Sequence, residues 1–275
     1  KWNCGDLVRI MSQCADRAGA DGVLYSSADR PFLDLKLAKE VLDCHEKYIA
    51  EYTFADGYPF GFAPEVIDCG TLRILSGFTG EHYADALESP VSNECIFNLL
   101  KKDINSFEIE AVTAKKDYRM LRLDFSCSVK RNFVACKNLY DLTIQEKIPF
   151  GAESLSDFAE TRGEVQHTLP AYYSVQINSA YRGVPFYNVY AKELAKDGVM
   201  SLEKFKGLAS QISVCSDDAV IGLGFFGEPL LAENFCSYVE SVLEYDNLSL
   251  LVETDGTCVT QQLAQEVSSA CNKFN

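Results

Sequence analysis

The arrangement of apolar and polar positions changes along the chain, and its first part mixes helical and strand patterns. Residues 21–34, DGVLYSSADRPFLD, form an apolar run that ends in polar residues before a proline. Such a run is typical of a buried parallel strand with a polar carboxyl end. In residues 35–52, apolar side chains recur at helical spacing, which predicts an amphipathic crossover helix.

Further patterns complete this first part. Residues 89–104, SPVSNECIFNLLKKDI, predict a second helix, with Ser89 as its N-cap and Pro90 at its first position. Residues 106–112 and 118–126 predict strands on either side of a charged loop.

A change in pattern separates two predicted domains. Residues 146–168 are polar and lack periodicity, so we interpret them as a linker. They divide an α/β domain at residues 1–145 from a second domain at residues 169–275. In the second domain, each of three strand patterns is followed by a helical pattern. Three successive strand and helix pairs predict a parallel sheet, and three do not close a barrel by themselves.

Composition narrows the function classes. The chain has 275 residues, is 47% hydrophobic and carries a formal net charge of -15, which argues against binding to nucleic acid or to an anionic membrane. No apolar run approaches the roughly 20 residues that span a bilayer, so we expect a cytoplasmic protein. The chain begins at Lys1 rather than Met, and we expect further residues upstream of it.

The 11 cysteines and 3 histidines do not form a recognisable site. Neither CxxC nor CxxxC occurs, and the nearest cysteines are Cys127 and Cys136, so the spacing does not support local zinc or iron–sulfur ligation. We expect most of the cysteines to be reduced and buried. The histidines are too scattered for a Ser/His/Asp or a His/Glu arrangement.

The loops of the second domain resemble those of a known family. Ligands of parallel α/β sheets bind at the carboxyl ends of strands, here the segments after Asn178, Phe225 and Glu253. In order and spacing, these segments are similar to the first half of a radical S-adenosylmethionine (radical SAM) barrel of the SPASM-linked kind. A nucleotidyltransferase-like domain in front of it is the arrangement of spirochaete-type radical SAM proteins. The resemblance implies a partial (β/α) barrel over residues 169–275.

The resemblance also implies a cluster site whose ligands are missing. The family binds a 4Fe–4S cluster through CxxxCxxC after the first strand, since thiolates keep the cluster at a low potential. The matching positions are Tyr181, Pro185 and Asn188, and none of them is a thiol. We therefore expect no iron–sulfur cluster, with aromatic side chains packed in its place.

The family's cofactor contacts have partial counterparts. Gly227, Glu228 and Pro229 match the Gly-Gly-Glu motif that meets the methionine amino group, and Glu253 matches a strand end near the ribose. Because the iron anchor is lost, the resemblance implies weak S-adenosylmethionine binding at most. Without the cluster, no electron reaches this cofactor, so we expect a degenerate member of the family.

The first domain resembles nucleotidyltransferases of the CMP-sugar and molybdenum-cofactor type. Asp29 matches the aspartate that holds Mg²⁺ against the nucleoside triphosphate. Residues 55–68, ADGYPFGFAPEVID, are similar to the acceptor-side loop of these enzymes. The Gly-rich phosphate loop has no counterpart before Asp29, so the resemblance implies an incomplete Rossmann-like domain. A cap or turn role for Asp29 is an equal alternative.

Three hypotheses for function follow. The first is a degenerate radical SAM-family protein that binds S-adenosylmethionine weakly. The second is a nucleotidyltransferase for Mg²⁺ and a nucleotide, with its phosphate loop upstream of this chain. The third is a non-catalytic interaction protein, for which the sequence indicates no particular protein partner. Whether the chain is an enzyme is left open at this point.

Overall fold

The computed structural model describes residues 3–79, 81–92, 94–181, 198–225 and 227–274. The chain divides into two compact units, the first made of Lys1–Ser128 with Asn132–His167 and the second of Val129–Arg131 with Thr168–Asn275. Both units contain helices and a sheet, which confirms the α/β class. No helix in the described ranges is both long and apolar enough to cross a membrane.

The first unit is built on a four-stranded sheet in the order β1-β3-β2-β4. Its strands are β1 (Gly22–Tyr25), β2 (Tyr52–Asp56), β3 (Glu65–Asp68) and β4 (Ile109–Thr113). Strand β3 runs antiparallel to β1 and β2, whereas β2 and β4 are parallel. Strands β1, β2 and β4 therefore share one direction.

A strand does form within residues 21–34, but the prediction that it is buried and parallel to its neighbour is wrong. Strand β1 lies at the edge of the sheet, where Leu24 is 47% exposed, and its partner β3 is antiparallel. The chain reverses direction through residues 57–64, and β3 then pairs between β1 and β2, which leaves β1 at the edge. Strand β1 is also short, because the chain turns at residues 28–29.

Helices cover both faces of this sheet. They are α1 (Cys4–Ala18), α2 (Leu35–Tyr48), α3 (Cys69–Ser76), α4 (Glu81–Glu88), α5 (Cys95–Leu100), α6 (Lys130–Glu146) and α7 (Ala152–Thr161). Buried residues of α2, α6 and α7 form one core with Val66, and those of α1, α3 and α5 form another with Ile67. Adjacent residues of a strand point to opposite faces, so each face has its own hydrophobic core. Helix α2 confirms the helix predicted over residues 35–52.

Two predicted elements differ in the structure. Helix α4 ends at Glu88, and the Ser89 hydroxyl donates to the Ala86 carbonyl at 2.8 Å, so Ser89 follows one helix rather than starting the next. Helix α5 begins only at Cys95. The strand predicted at residues 118–126 is replaced by a single 3-10 turn and an isolated bridge to Phe60.

Helix α7 lies within the stretch predicted as a linker. Its Leu155 and Phe158 are buried in the core of the first unit. Asp34 joins α7 to α2, because its Oδ1 accepts the Lys36 amide at 2.7 Å and its Oδ2 accepts the Ala152 amide at 2.7 Å. One carboxylate thus satisfies free N–H groups at the start of two helices. Residues 152–161 belong to the first unit.

The second unit contains a parallel sheet in the order β5-β6-β7. Strands β5 (Tyr172–Val175), β6 (Ala219–Leu223) and β7 (Leu248–Val252) alternate with helices α8 (Leu202–Cys215), α9 (Phe235–Leu243) and α10 (Gln261–Phe274). Phe205, Ile221 and Tyr238 lie in the core between them. The parallel sheet predicted from the pattern is confirmed. The sheet formed by the described strands is open, and the radical SAM-type barrel stays a prediction.

The cysteines divide into one pair and nine single residues. Cys4 and Cys95 form a disulfide, with Cα atoms 5.6 Å apart, so the expectation of reduced cysteines is wrong for this pair. The other nine are free thiols, as expected, but only Cys69, Cys136 and Cys258 of them are buried, so the expectation of burial is wrong for the rest.

Candidate functional site

The carboxyl ends of three strands meet at one edge of the first sheet. Strands β1, β2 and β4 end there, and β3 begins there with Glu65. The amide of Ala114, after β4, donates to the Asp56 carbonyl at the end of β2 at 2.8 Å. Ligands of α/β sheets usually bind at this edge, so it is the first place to look for a site.

A cavity of about 250 Å³ lies at this edge, within the first unit. Its walls carry charged and aromatic side chains from five segments of the chain. They are Arg30, Glu65, Glu94, Tyr52, Phe54, Tyr58, Phe60 and Phe97. Pockets for drug-sized ligands are about 300 to 1,000 Å³, so this one suits a compact metabolite.

Arg30 is the buried cation of the cavity, with a side chain only 1% exposed. Its Nη1 donates to the Ala63 carbonyl at 2.8 Å, and its Nη2 lies 3.5 Å from Glu65 Oε1. The guanidinium carbon lies 4.5 Å from the centre of the Phe60 ring. Among the described residues, Nε and Nη2 have no hydrogen-bond partner. Buried N–H groups without a partner are costly, so these two atoms are candidate donors to a ligand.

Glu65 and Tyr52 extend the charged cluster. The Tyr52 hydroxyl donates to Glu65 Oε2 at 2.9 Å. Burial raises the pKa of Glu65, and the Tyr52 hydrogen bond and the Arg30 charge offset only part of that rise. Burial, together with the Glu65 charge, also raises the pKa of Tyr52, which therefore stays protonated and remains a donor.

The loop between β2 and β3 is fixed by its neighbours. The Phe60 amide donates to the Leu123 carbonyl at 3.2 Å, and the Phe125 amide donates to the Phe60 carbonyl at 2.9 Å. Gly61 has a φ of +108°, and a Cβ there would lie 2.7 Å from the Phe125 carbonyl oxygen. Only glycine fits this approach, so the wall of the cavity that contains Phe60 is preorganised.

Asp29, the sequence candidate for Mg²⁺, precedes Arg30 at the same edge. Its carbonyl accepts the Cys127 amide at 2.7 Å, and its Oδ1 is buried without a hydrogen-bond partner in the described ranges. That oxygen could serve as one ligand of Mg²⁺, which commonly takes one or two carboxylates and completes its shell with phosphate oxygens and water. Within the described residues, no group of three or more His, Cys, Asp and Glu could hold a metal ion.

The cofactor positions predicted in the second unit also come together. The Glu228 carboxylate is buried, where Oε1 accepts the Thr254 hydroxyl at 2.8 Å and Oε2 accepts the Asp255 amide at 3.0 Å. The Glu228 amide donates to the Ala180 carbonyl at 2.9 Å, and Asn178 Nδ2 donates to the Glu228 carbonyl at 2.8 Å. Glu228 therefore connects the segments that follow β5, β6 and β7.

The neighbours of Glu228 lie at the same edge of the second sheet. A Cβ on Gly227 would lie 1.9 Å from the Asn178 carbonyl oxygen, and Pro229 starts a single 3-10 turn. The Glu253 amide donates to the Leu223 carbonyl at 2.8 Å. Tyr181 follows the β5 segment, whereas Pro185 and Asn188 lie outside the described residues. The assignment of these positions to a cofactor stays a prediction.

Sequence reasoning missed the Arg30, Glu65 and Tyr52 cluster. Arg30 stands between the polar end of β1 and an apolar PFL segment, and Glu65 directly precedes the apolar pair Val66 and Ile67. A charged residue directly beside an apolar run was the sequence signal that could have indicated a buried charge. Its partner could not be identified, because that depends on the antiparallel register that places Tyr25 opposite Glu65.

Comparisons with known proteins give similarity without an assigned activity. No protein-family model matches the chain. A Treponema pallidum (strain Nichols) protein described as uncharacterized is 34% identical over 163 residues, 58% of this chain and 43% of that protein. A second uncharacterized protein of the same strain is 39% identical over 70 residues, 25% of this chain and 32% of that protein. The chain thus spans less than half the length of these relatives.

One solved structure is similar to part of the chain. A cytidylyltransferase from Leptospira borgpetersenii serovar Hardjo-bovis (strain JB197) matches with a TM-score of 0.48 and 12% identity, over 62% of this chain and 68% of that one. A likeness of this size carries no argument about function. The comparisons contain no support for the radical SAM resemblance.

Proposed function

We propose that the first unit is a nucleotidyltransferase-type domain whose cavity binds the acceptor molecule. The observation that carries the proposal is Arg30, a buried cation with unpartnered N–H groups in the wall of a cavity at the carboxyl edge of parallel strands. The resemblance of residues 55–68 to an acceptor-side loop supports the same assignment, because Tyr58 and Phe60 of that segment line the cavity.

The lining of the cavity indicates what it would recognise. A guanidinium group donates in a planar fork that matches carboxylate or phosphate oxygens. The Phe54, Tyr58 and Phe97 rings offer apolar surface to the body of a ligand. Asp29 would hold Mg²⁺ beside the cavity, and that ion would neutralise the phosphates of a bound nucleotide.

Binding of inorganic phosphate tests the role of Arg30. We expect Arg30→Lys, which keeps the charge but loses the fork, to weaken phosphate binding roughly tenfold in titration calorimetry. Arg73→Met is the matched control, since Arg73 pairs with Asp16 at the surface, away from the cavity. Equal phosphate affinity in the wild type and Arg30→Lys would contradict the assignment.

Nucleotide binding tests the role of Asp29. We expect CTP and GTP with Mg²⁺ to bind weakly to this chain, because Asp29 supplies only a single carboxylate. Asp29→Ala should remove that binding, and Asp29→Asn should reduce it, since a neutral amide is a poorer ligand for Mg²⁺. Nucleotide affinity that does not depend on Asp29 would argue against the nucleotidyltransferase assignment.

A second proposal concerns the second unit, where Glu228 joins the segments after three parallel strands. It is a degenerate S-adenosylmethionine site. The Glu228 amide and both carboxylate oxygens already make hydrogen bonds within the chain, so little of the motif is free for a ligand. We therefore expect weak binding of S-adenosylmethionine in equilibrium dialysis, and micromolar or tighter binding would contradict it.

The same proposal predicts that no iron–sulfur cluster forms. Tyr181, Pro185 and Asn188 offer a phenol, no donor and a neutral amide, all poor substitutes for thiolate. After anaerobic reconstitution with iron and sulfide, we expect no stoichiometric iron and no cluster absorption band. Replacing all three residues by cysteine should restore iron binding, and failure of that variant would argue against the family resemblance.

A further inference from the structure

The Cys4–Cys95 disulfide joins the first residues of two helices that are distant in sequence. Cys4 begins α1 and Cys95 begins α5, at a sequence separation of 91. Both residues are buried, with exposures of 0% and 1%. Solvent therefore does not reach the sulfur atoms while α1 and α5 stay packed.

Helix α5 carries one wall of the cavity. Glu94 and Phe97, on either side of Cys95, both line it. The Phe97 ring packs against the rings of Tyr52 and Phe54, with centroids 6.4 Å and 5.9 Å away. The position of the first turn of α5 thus decides where a charged and an aromatic wall residue lie.

Helix α5 is short: its buried Ile96, Leu99 and Leu100 pack in the core of the first unit, and the disulfide fixes its first residue. It is six residues long, and the Glu94 side chain makes no cap hydrogen bond. Isolated helices of this length are unstable in water, so tertiary contacts must fix them. The disulfide ties this turn to α1, whose own start is fixed by a capping box between Asn3 and Asp6.

We propose that the Cys4–Cys95 disulfide controls the cavity, so that the α5 wall is ordered in the oxidised chain and loosens when the bond is reduced. Only the effect of this control on ligand binding rests on the proposed function. Closure of the bond removes two protons and two electrons from the Cys4 and Cys95 thiols. A small-molecule disulfide takes them up and becomes two thiols, and a dithiol reverses the exchange.

Burial of both sulfurs sets when this exchange occurs. A thiolate must reach a sulfur atom to attack it, so a reductant acts only after α1 and α5 separate locally. The bond should therefore persist in the folded protein under mild thiol reductants and break under conditions that favour local opening. Whether the α5 wall of the cavity is ordered then depends on the redox conditions in which the chain folded.

Mass spectrometry and hydrogen exchange test this control. After purification without reductant and alkylation in denaturant, we expect nine alkylated cysteines, with Cys4 and Cys95 recovered as a linked pair. In Cys4→Ala/Cys95→Val, which refills the buried space, amides of α5 should exchange at least roughly tenfold faster than in the wild type. The control variant, Cys14→Ser, changes an exposed free cysteine and should exchange like the wild type.

A second measurement keeps the outcomes separate. Wild-type protein that is unfolded with a dithiol and refolded in its presence should show the same faster exchange in α5, without any substitution. Alkylation of Cys4 and Cys95 in the oxidised protein, or unchanged exchange in α5, would overturn the proposal. Faster exchange with no phosphate binding in either redox state would support the control of α5 and reject the ligand assignment of the cavity.

Discussion

Removal of the Arg30 guanidinium should destabilise the first unit more than any loss of a surface charge. Arg30→Met deletes a buried cation that faces Glu65 and the Ala63 carbonyl. Breaking a buried ion pair from one side leaves the other charge without compensation and costs about 3 to 5 kcal/mol. The lost contact with the Phe60 ring adds about 0.5 to 2 kcal/mol. We expect a total of about 4 to 7 kcal/mol.

A double-mutant cycle separates the ion pair from the rest of this cost. Glu65→Gln leaves Arg30 without its anion but keeps an oxygen for the Tyr52 hydroxyl and removes a charge that burial disfavours, so we expect it to cost less than Arg30→Met. In Arg30→Met/Glu65→Gln neither charge remains, and we expect the combined cost to be at least about 2 kcal/mol smaller than the sum of the single costs.

The assay must report on the first unit alone, because the chain has two compact units. Native-state hydrogen exchange of the β2 and β3 amides, measured against urea concentration, gives that free energy of unfolding. Arg73→Met, at an exposed ion pair with Asp16, is the control and should leave the free energy nearly unchanged. Costs that add within about 0.5 kcal/mol would refute the coupling of Arg30 and Glu65.

The remaining predictions concern pH, a close contact and a shared cap. Burial raises the pKa of Glu65 in the folded protein. Its contribution to stability is therefore full below the unfolded pKa and is lost as pH rises through the folded pKa. In urea unfolding at several pH values, the stability of Glu65→Gln should rise relative to that of the wild type as pH increases. Gly227→Ala should destabilise the second unit by about 3 kcal/mol in thermal unfolding, whereas Gly207→Ala, in open space on α8, should stabilise it by about 0.5 to 1 kcal/mol. Asp34→Ala should cost about 2 kcal/mol in urea unfolding through loss of its caps, and Asp34→Asn should recover part of this. A Gly227→Ala protein as stable as the wild type, or equal stability of Asp34→Ala, would contradict the contacts described for these residues.

The elements that sequence patterns predicted well are those whose apolar residues alone form the pattern. Helix α2 and the alternating strands and helices of the second unit are of this kind, since a periodic apolar face is visible without knowledge of partners. Helix α7 was missed because polar residues share its buried face. Ser156 is fully buried and its hydroxyl donates to the Ala152 carbonyl at 2.6 Å. A hydroxyl satisfied within its own helix looks polar in a sequence and behaves as a core residue in the fold.

The candidate site divides in a similar way. Asp29 was predicted from the resemblance of a local motif, and in the structure it lies at the same edge of the sheet as the cavity, while its role stays a prediction. Arg30 and Glu65 were not paired, because 35 positions and a strand reversal separate them and only the register of β1 and β3 brings them together. A local sequence motif can indicate a single residue, whereas the partner of a buried residue depends on how the strands are arranged in the sheet.

The double role of Asp34 has a consequence for the order in which the first unit is assembled. Its Oδ1 can cap α2 as soon as that helix forms, since the amide it accepts lies two residues ahead. Its Oδ2 can accept a hydrogen bond only after Ala152, 118 residues later in the chain, has been added. Contacts of such long range form late and slow the search for the native topology. During synthesis on the ribosome, the sheet of this unit would therefore exist for a time with its α7 side uncovered, and the apolar residues beneath α7 would then be exposed to association with other chains.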